Sequence, residues 1–349
     1  MARIQVDPLR LTLRAPLRAA WGELRERRLL RVTLDWGGGD FGRGEAAPLE
    51  PYDGVPLTAV AAALEGYGTV LRDASAAAEH EDLLAACADA NDLPQALAAV
   101  DLALWDRAGR RAGRPVAQLL APDAAPSVEV NATIGAQDRA GAAAEAAAAA
   151  RAGFRCVKVK VGVGDDAGRV AAVRAAVGPD VAIRVDANGA WSGPEEAVAN
   201  LNALAPAGLE YAEEPVHGVD ALRAVRAASP VPVAMDETAA APGAAASGAA
   251  DAVCLKIARC GGISGLLASA DAARTAGSAV YVASTFDGPR GVAAAVHAAA
   301  ALGADAACGL ATLALFRGTG DVLAPVRGAI AVPPGAGLLG APALEYGGH

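Results

Sequence analysis

Lysine is rare in this chain, and its three positions are well placed for acid–base chemistry. Of the 30 basic residues only Lys158, Lys160 and Lys256 are lysine, and each lies near the end of an apolar, strand-like run. A lysine can lose its proton when it is desolvated or crowded by a second cation, whereas an arginine stays charged. A general base has to deprotonate near neutral pH. The pattern therefore predicts that two of these lysines carry proton transfer.

Carboxylates end three further strand-like runs that lie between the lysines in the sequence. They are Asp186, Glu213 with Glu214, and Asp236 with Glu237. The four histidines are scattered and no Cys-x-x-Cys pair occurs, so the ligands of a soft metal are not indicated. Oxygen ligands suit a hard cation such as Mg²⁺, with Mn²⁺ as an alternative. Such an ion would stabilise the charge that develops when a proton leaves the α-carbon of a carboxylate substrate.

The competing interpretation of this pattern is a set of structural ion pairs at strand ends. One strand end would favour that interpretation, but five consecutive ends in the order cation, acid, acid, acid, cation favour an active site. Arg184, Asn188 and Ser284 also have structural alternatives, which are pairing with a carboxylate, capping a turn and starting a helix. The candidates for substrate binding or support of the site are Lys158, Arg184, Asn188, Glu237, Ser284 and Gly309.

Eight short β-type runs hold these residues. From Val128 onward the runs begin 21 to 28 residues apart, and alanine-rich stretches typical of helices separate them. This is the pattern of a (β/α) barrel, whose active site lies at the C-terminal ends of the strands. Because residues two apart on a strand face the same way, Lys158 and Lys160 should point together into the mouth, and Arg184 should share a side with Asp186. We predict the barrel over residues 123–325.

The main alternative to a barrel is a doubly wound parallel sheet. That fold would carry a glycine-rich dinucleotide fingerprint after its first strand, and no Gly-x-Gly-x-x-Gly follows the first run here.

Residues 1–122 are predicted to form a smaller α+β domain. Two strands occupy residues 1–36, and residues 57–120 are helical in pattern, with a helix start signal at Asn91–Pro94. The proline- and glycine-rich segment 326–349 is predicted to return to this domain. Arginines near the loop at Trp21–Arg28 are either solvated charges or part of a lid that contacts an anionic substrate.

Composition narrows the class of protein. The net charge of −9 argues against nucleic acid as a partner. No apolar run reaches 18 residues and no charged-then-apolar leader occurs, so neither a membrane location nor export is expected. Five cysteines form no framework of disulfides, which favours the cytoplasm. The expected partner is a small carboxylate substrate; a catalytically silent barrel that binds a small acid is the alternative from another class.

Several motifs are shared with one known family. Gly44–Pro48 and Ala103–Asp106 look like capping-domain signatures, and Lys158-Val-Lys160 looks like a Lys-x-Lys motif. Further matches follow the strands: Val185–Asn188, Glu213–Pro215, Asp236-Glu237, and Leu255-Lys256 with Gly261-Gly262. Together these resemble the enolase superfamily, in its muconate-lactonizing-enzyme-like subgroup, over nearly the whole chain.

The resemblance implies a fold, a metal and roles for the site residues. The fold is a modified (β/α)₇β barrel with an N-terminal α+β capping domain. One Mg²⁺ would be held by Asp186, Glu213 and Asp236, with Lys160 as the base and Lys256 as the opposite cation. Enolase-type sites are a standard example of a lysine or histidine base working beside Mg²⁺, so this assignment comes from the family. Homo-oligomers are usual for this fold, and the sequence alone does not distinguish among them.

Within the subgroup several reactions share these residues. The stretch Ala283–Gly291 with Ala307–Leu313 is most similar to members that eliminate water, and Arg184 fits them. Racemases of N-acylamino acids, dipeptide epimerases and cycloisomerases remain alternatives. Epimerases usually carry an Asp-x-Asp near the eighth strand, which Gly309–Thr312 lacks. Asp287 stands where the subgroup usually has glutamate.

Overall fold

The computed structural model describes residues 2–19, 22–135, 138–319 and 322–340. Trp21, at the start of the arginine-containing loop, and residues 341–349 of the predicted return segment lie outside the described residues.

An antiparallel sheet and five helices form the N-terminal part. The strands, in the order β1-β2-β3, are Arg3–Ala19 (β1), Gly22–Asp35 (β2) and Phe41–Ala46 (β3). The helices are Glu50–Asp53 (α1), Leu57–Leu71 (α2), His80–Ala90 (α3), Pro94–Ala112 (α4) and Val116–Leu120 (α5). The helix start expected at Asn91–Pro94 is confirmed, since α4 begins at Pro94.

Close packing of α4 on β3 explains Gly44 of the capping-domain motif and, two residues before it, Gly42. A Cβ at Gly44 would lie 1.9 Å from the carbonyl oxygen of Ala99, and one at Gly42 would lie 1.9 Å from that of Ala103. Any side chain at either position would push the helix off the sheet. This contact holds Glu45, on β3, inside the protein.

A parallel sheet curls into the barrel. Its strands, which neighbour one another in chain order, are Ala132–Ile134 (β5), Cys156–Lys160 (β6), Ala182–Asp186 (β7), Tyr211–Glu213 (β8), Val233–Met235 (β9), Ala252–Leu255 (β10) and Ala279–Val282 (β11). A short antiparallel pair, Ser127–Glu129 (β4) with Ala329–Ala331 (β12), lies beside its start. The eighth run is reduced to parallel bridges in which Cys308 pairs with Val130 and Gly309 with Ala283. These bridges join the two edges of the sheet.

Helices surround this sheet. They are Arg139–Arg151 (α6), Asp166–Val177 (α7), Pro194–Leu204 (α8), Val219–Ala228 (α9), Ile263–Thr275 (α10) and Pro289–Leu302 (α11). The alanine-rich stretch is confirmed as a helix, α6, and Asp138 caps its N-terminus by accepting a hydrogen bond from the Gly141 N–H. The expectation of a helix between every pair of strands is wrong for β9 and β10, where Pro242 and Gly243 interrupt a short connection.

Long-range contacts tie the N-terminal part to the barrel. The buried Arg27 guanidinium of β2 donates hydrogen bonds to the carbonyl oxygens of Ala47, Pro48 and Phe286. Arg27 is therefore a structural tie, whereas the exposed Arg25 and Arg28 pair with neighbouring glutamates.

The C-terminal segment returns to α4 and α5. The Val116 N–H donates to the Gly337 carbonyl, and the Leu338 N–H donates to Asp106 Oδ1 at 2.8 Å. Among the described helices none is long and apolar enough to span a bilayer. The predicted fold class, an α/β barrel with an N-terminal α+β domain, is confirmed by the structure.

Candidate active site

Strand register brings the predicted charged residues into one layer at the barrel mouth. Lys160 of β6 is opposite Asp186 of β7, which is opposite Glu213 of β8. Asp236 follows β9 directly, and Lys256 follows β10. Because β7, β8 and β9 separate β6 from β10, Lys160 and Lys256 approach the three carboxylates from opposite sides.

Lys158 neutralises two of the carboxylates from below. Its Nζ lies 2.9 Å from Asp186 Oδ2 and 2.7 Å from Glu213 Oε1. Burial alone would lower the pKa of Lys158, but the Asp186 and Glu213 carboxylates outweigh it and hold the pKa well above its ordinary value. Lys158 is therefore a fixed cation, and its charge also helps to hold the pKa of Asp186 below its usual range against the effect of burial.

Lys160 is the more exposed of the two lysines on β6. Its side chain is 34% exposed, against 16% for Lys158. Its Nζ donates to Asp186 Oδ2 at 2.5 Å and to Asn188 Oδ1 at 2.6 Å. Asn188 has the left-handed φ of 47°, and its amide donates to Glu237 Oε1 at 2.9 Å. Asn188 thus makes the turn after β7 and also links Lys160 to Glu237.

Lys256 is buried on the far side of the carboxylates. Its Nζ contacts Asp236 Oδ1 and lies 2.7 Å from the hydroxyl oxygen of Tyr52, which comes from α1. Burial would lower the pKa of Lys256, but Asp236 outweighs burial and holds it well above its ordinary value. The Tyr52 hydroxyl also lies 3.1 Å from Asp236 Oδ1 and accepts a hydrogen bond from Arg259. The N-terminal part therefore supplies a polar group to the site.

The two glutamates at the end of β8, Glu213 and the next residue Glu214, point in different directions, as strand parity requires. Glu213 faces the barrel interior, and burial raises its pKa to about 7. Glu214, with the left-handed φ of 39°, accepts hydrogen bonds from the N–H groups of Asp236 and Thr238 at 2.8 and 3.0 Å. Glu214 thereby fixes the backbone that carries Asp236.

Arg184 lies one layer deeper than the carboxylates. It is opposite Lys158 and Tyr211 in the sheet, and its Nε donates to Glu210 Oε2 at 2.5 Å. Its guanidinium stacks on the Tyr211 and Tyr281 rings at 4.5 and 5.2 Å from their centroids. The structure therefore places Arg184 in an ion pair beneath the site and not beside Lys160.

The seventh and eighth strand ends serve mainly to shape the barrel. Ser284 accepts a hydrogen bond from the Asp287 N–H, and the Asp287 carboxylate accepts from Thr285 Oγ1 at 2.7 Å. Asp287 is therefore turned back onto its own loop ahead of α11. At Gly309 a Cβ would lie 3.0 Å from the Cβ of Ala283, so the closing bridge leaves little room for a side chain.

Four residues have contacts or positions at the site that the sequence did not indicate. Tyr52 and Arg259 reach Lys256 through contacts that no local pattern shows. Thr133 is exposed and lies opposite Lys158 in the sheet; its place near the end of the first run was the available signal. Cys254, two residues before Lys256, lies with Glu213 and Asp236 in a buried group whose ligand atoms are within 4.8 Å of one another.

Comparison with known families covers both parts of the chain. A family described as "Enolase C-terminal domain-like" matches residues 141–341. A second, described as "Mandelate racemase / muconate lactonizing enzyme, N-terminal domain", matches residues 2–121.

The relatives include a synthase, found by sequence, and a racemase and an epimerase, found by structure. The o-succinylbenzoate synthase of Mycobacterium tuberculosis is 44% identical over 192 residues, which are 52% of this chain and only 57% of that protein. An N-succinyl Arg/Lys racemase from Bacillus cereus has a TM-score of 0.87 at 26% identity and covers 97% of this chain and 94% of its own.

A dipeptide epimerase from Enterococcus faecalis, solved with Mg and the dipeptide L-Leu-L-Tyr, has a TM-score of 0.86 at 26% identity and covers 96% of this chain and 98% of its own. The synthase therefore matches over about half its length, whereas the racemase and the epimerase share the whole fold. With both parts of the chain matched, this protein belongs to the enolase superfamily.

Proposed function

We propose that this protein is an Mg²⁺-dependent lyase of the o-succinylbenzoate synthase type, which eliminates water from 2-succinyl-6-hydroxy-2,4-cyclohexadiene-1-carboxylate. The observation that carries the proposal is the single layer in which Lys160 and Lys256 flank three buried carboxylates. The 44% identity to the mycobacterial synthase supports this substrate over others.

The chemistry of the donors fits a hard divalent cation. Asp186, Glu213 and Asp236 would hold Mg²⁺, and Glu213 Oε2 is buried with no hydrogen-bond partner among the described residues. A buried carboxylate oxygen without a partner is costly, and a cation removes that cost. Cys254 is within reach, but sulfur is a soft ligand, whereas Mg²⁺ prefers oxygen, so the three carboxylates are the better donors. An ion held by these three carboxylates would supply positive charge against the negative charge that develops on the substrate carboxylate.

Lys160 is proposed to remove the α-proton as the free amine. Its Nζ lies at the exposed end of the layer, held toward the mouth by Asp186 and Asn188. The C–H electron pair then forms the carbon–carbon double bond as the β-hydroxyl leaves. The proton on Lys160 converts the departing hydroxide to water, so the ring becomes aromatic without an oxidant. This balance needs no group beyond the substrate and the lysine.

Lys256 is proposed to act as a fixed cation opposite the base. It remains protonated because Asp236 stabilises its charge, and Tyr52 holds its Nζ from the cap side. An ammonium in this position stabilises negative charge that appears on the substrate during proton removal.

A second candidate function is racemisation of an N-succinylamino acid or a related N-acylamino acid. The observation that favours it is the placement of lysines on both sides of the carboxylates, since 1,1-proton transfer needs one group on each face of the α-carbon. The whole-chain similarity to the N-succinyl Arg/Lys racemase supports it.

Turnover of the cyclohexadiene substrate, followed as loss of diene absorbance with and without EDTA, tests the first proposal. Rapid, EDTA-sensitive conversion is expected, and Lys160→Ala should lower it roughly 100- to 10,000-fold. Arg223→Ala, in an exposed surface pair with Asp220, is the control and should convert at the wild-type rate. No conversion by the metal-loaded protein would refute the synthase assignment. Deuterium exchange into an N-succinylamino acid would then support the racemase.

A further inference from the structure

The connection from β9 to β10 differs from the other strand connections of the barrel because it has no α-helix. A 3₁₀ turn at Glu237–Ala240 is followed by successive turns, in which Ala244 N–H donates to the Ala241 carbonyl and Ala246 N–H to that of Gly243. Gly243 has the left-handed φ of 74°, which ends any helical path. The outer layer is therefore open between α9 and α10.

A cavity of about 390 Å³ lies in this opening. Residues 239–243, 245 and 246 line one wall, and Ala268, Ser269 and Ala272 of α10 line the other. Leu255 also lines the cavity. Neighbouring residues on a strand face opposite sides, so Leu255 faces away from the barrel interior where Lys256 lies, and the cavity is on the outer face of β10. Its volume is that of a site for a small ligand, which is typically about 300–1,000 Å³.

The inner end of the cavity reaches the barrel wall beside the candidate active site. β9 and β10 pair only through Ala234 with Ala252 and Met235 with Val253. Beyond Met235 the chain leaves the strand direction at Asp236, where the pairing of β9 with β10 ends. Asp236, Cys254 and Lys256 accordingly line the deep end of the cavity.

The polar groups around the cavity favour an anionic ligand. Arg259 lines it, and among the described residues its guanidinium donates to the Tyr52 hydroxyl and the Glu237 carbonyl, both at 3.1 Å. A guanidinium has five N–H groups, so others remain for a ligand. The Asp236 carboxylate already contacts Lys256 and Tyr52. The remaining walls are mostly alanine, which suits an apolar body.

We propose that this cavity is a second binding site, which takes a small apolar monocarboxylic acid with its carboxylate on Arg259 and its ring or chain against the alanines. Arg259 also hydrogen-bonds Tyr52, which contacts Lys256. An acid bound here is therefore coupled to the candidate catalytic lysine from outside the barrel. The site is separate from the mouth, where Lys160 and Asn188 lie.

Calorimetry of the full chain with benzoate in EDTA tests the site. Benzoate should bind saturably, and benzamide should bind about tenfold more weakly because it lacks the charge-assisted hydrogen bonds. Ala272→Leu and, as a second variant, Ala268→Leu fill the cavity and should abolish binding. Ala224→Leu, on the exposed face of α9, is the matched control and should bind as the wild type does.

Alkylation of Cys260 locates the bound acid. This thiol lines the cavity and is half-buried, whereas the other four cysteines are buried. Benzoate should slow its reaction with iodoacetamide, read by peptide mass spectrometry, in the wild type and in Ala224→Leu. The proposal is overturned if benzoate does not bind, if binding survives both cavity-filling variants, or if it requires Mg²⁺, which would place benzoate in the barrel mouth.

Discussion

Protonation of one buried histidine should set the acid limit of stability. His297 of α11 is fully buried; its Nδ1 lies 3.1 Å from the Ala117 N–H and its Nε2 lies 2.9 Å from the Leu338 carbonyl oxygen. Because Nδ1 accepts from an N–H group, the ring is neutral and Nε2 carries the hydrogen. Burial lowers its pKa from 6.5 to about 4, since a charged ring would be desolvated there and would face the Ala117 donor.

The sign and size of the effect follow from this lowered pKa. The unfolded chain binds a proton at His297 more readily than the folded protein does, so acid favours unfolding. The contribution to stability is complete above the unfolded pKa of 6.5 and is lost as the pH falls toward 4. Each pKa unit corresponds to about 1.4 kcal/mol, which gives about 3 kcal/mol in total. Roughly 2 kcal/mol of this should be lost by about pH 5.

Urea unfolding of the wild type and His297→Gln, in EDTA and from about pH 8 to about pH 5, measures the effect. The variant should be less stable at neutral pH because the substitution disturbs the two buried hydrogen bonds of the ring. The glutamine does not titrate, so acid destabilises only the wild type through this position. Its deficit should shrink by roughly 2 kcal/mol at the acid end. A deficit that stays constant across this range, or that grows in acid, would refute the reasoning.

Three further perturbations follow from the site and its surroundings. For Glu45→Gln the opposite dependence of stability on pH is expected. Burial, with the nearby Asp287, raises the pKa of Glu45 from 4.5 to about 7, so the wild type loses stability as the pH rises through this window. In urea unfolding the free energy of unfolding of the variant should therefore rise relative to that of the wild type as the pH increases. Tyr52→Phe removes the hydroxyl beside Lys256 and should lower kcat/KM about tenfold or more in the diene assay, without loss of folding. Glu213→Gln should weaken Mg²⁺ binding in calorimetry by at least about 10- to 100-fold, and more than Glu237→Gln does.

The layer of charged residues was predictable from the sequence because it depends on local rules. Strand parity and the position of active sites at strand ends are enough to bring Lys160, Asp186 and Glu213 together. Parity does not give depth, however. Arg184 shares a strand face with Asp186 but lies a layer lower, where its guanidinium pairs with Glu210 and stacks on two tyrosine rings.

Contacts between distant parts of the chain were beyond the sequence. Tyr52 reaches Asp236 across 184 residues, and only the docking of the N-terminal part on the barrel determines that distance. The helix expected between β9 and β10 is missing although the connection is rich in alanine, because Pro242 and the left-handed Gly243 and Gly248 interrupt it. Alanine content favours a helix only where no such residue interrupts it.

The return of the C-terminal segment has a consequence for how the protein is made. The Gly337 carbonyl accepts a hydrogen bond from α5 and the Leu338 N–H donates one to α4, and the Leu338 carbonyl also accepts the His297 hydrogen bond. Domains generally fold in order as the chain leaves the ribosome. Here the N-terminal part emerges first, but α4 and α5 lack their hydrogen bonds to Gly337 and Leu338 until more than 200 further residues have been synthesised. During that interval its helices expose surface that only the end of the chain can cover, so nascent chains should depend on chaperones more than the finished protein does.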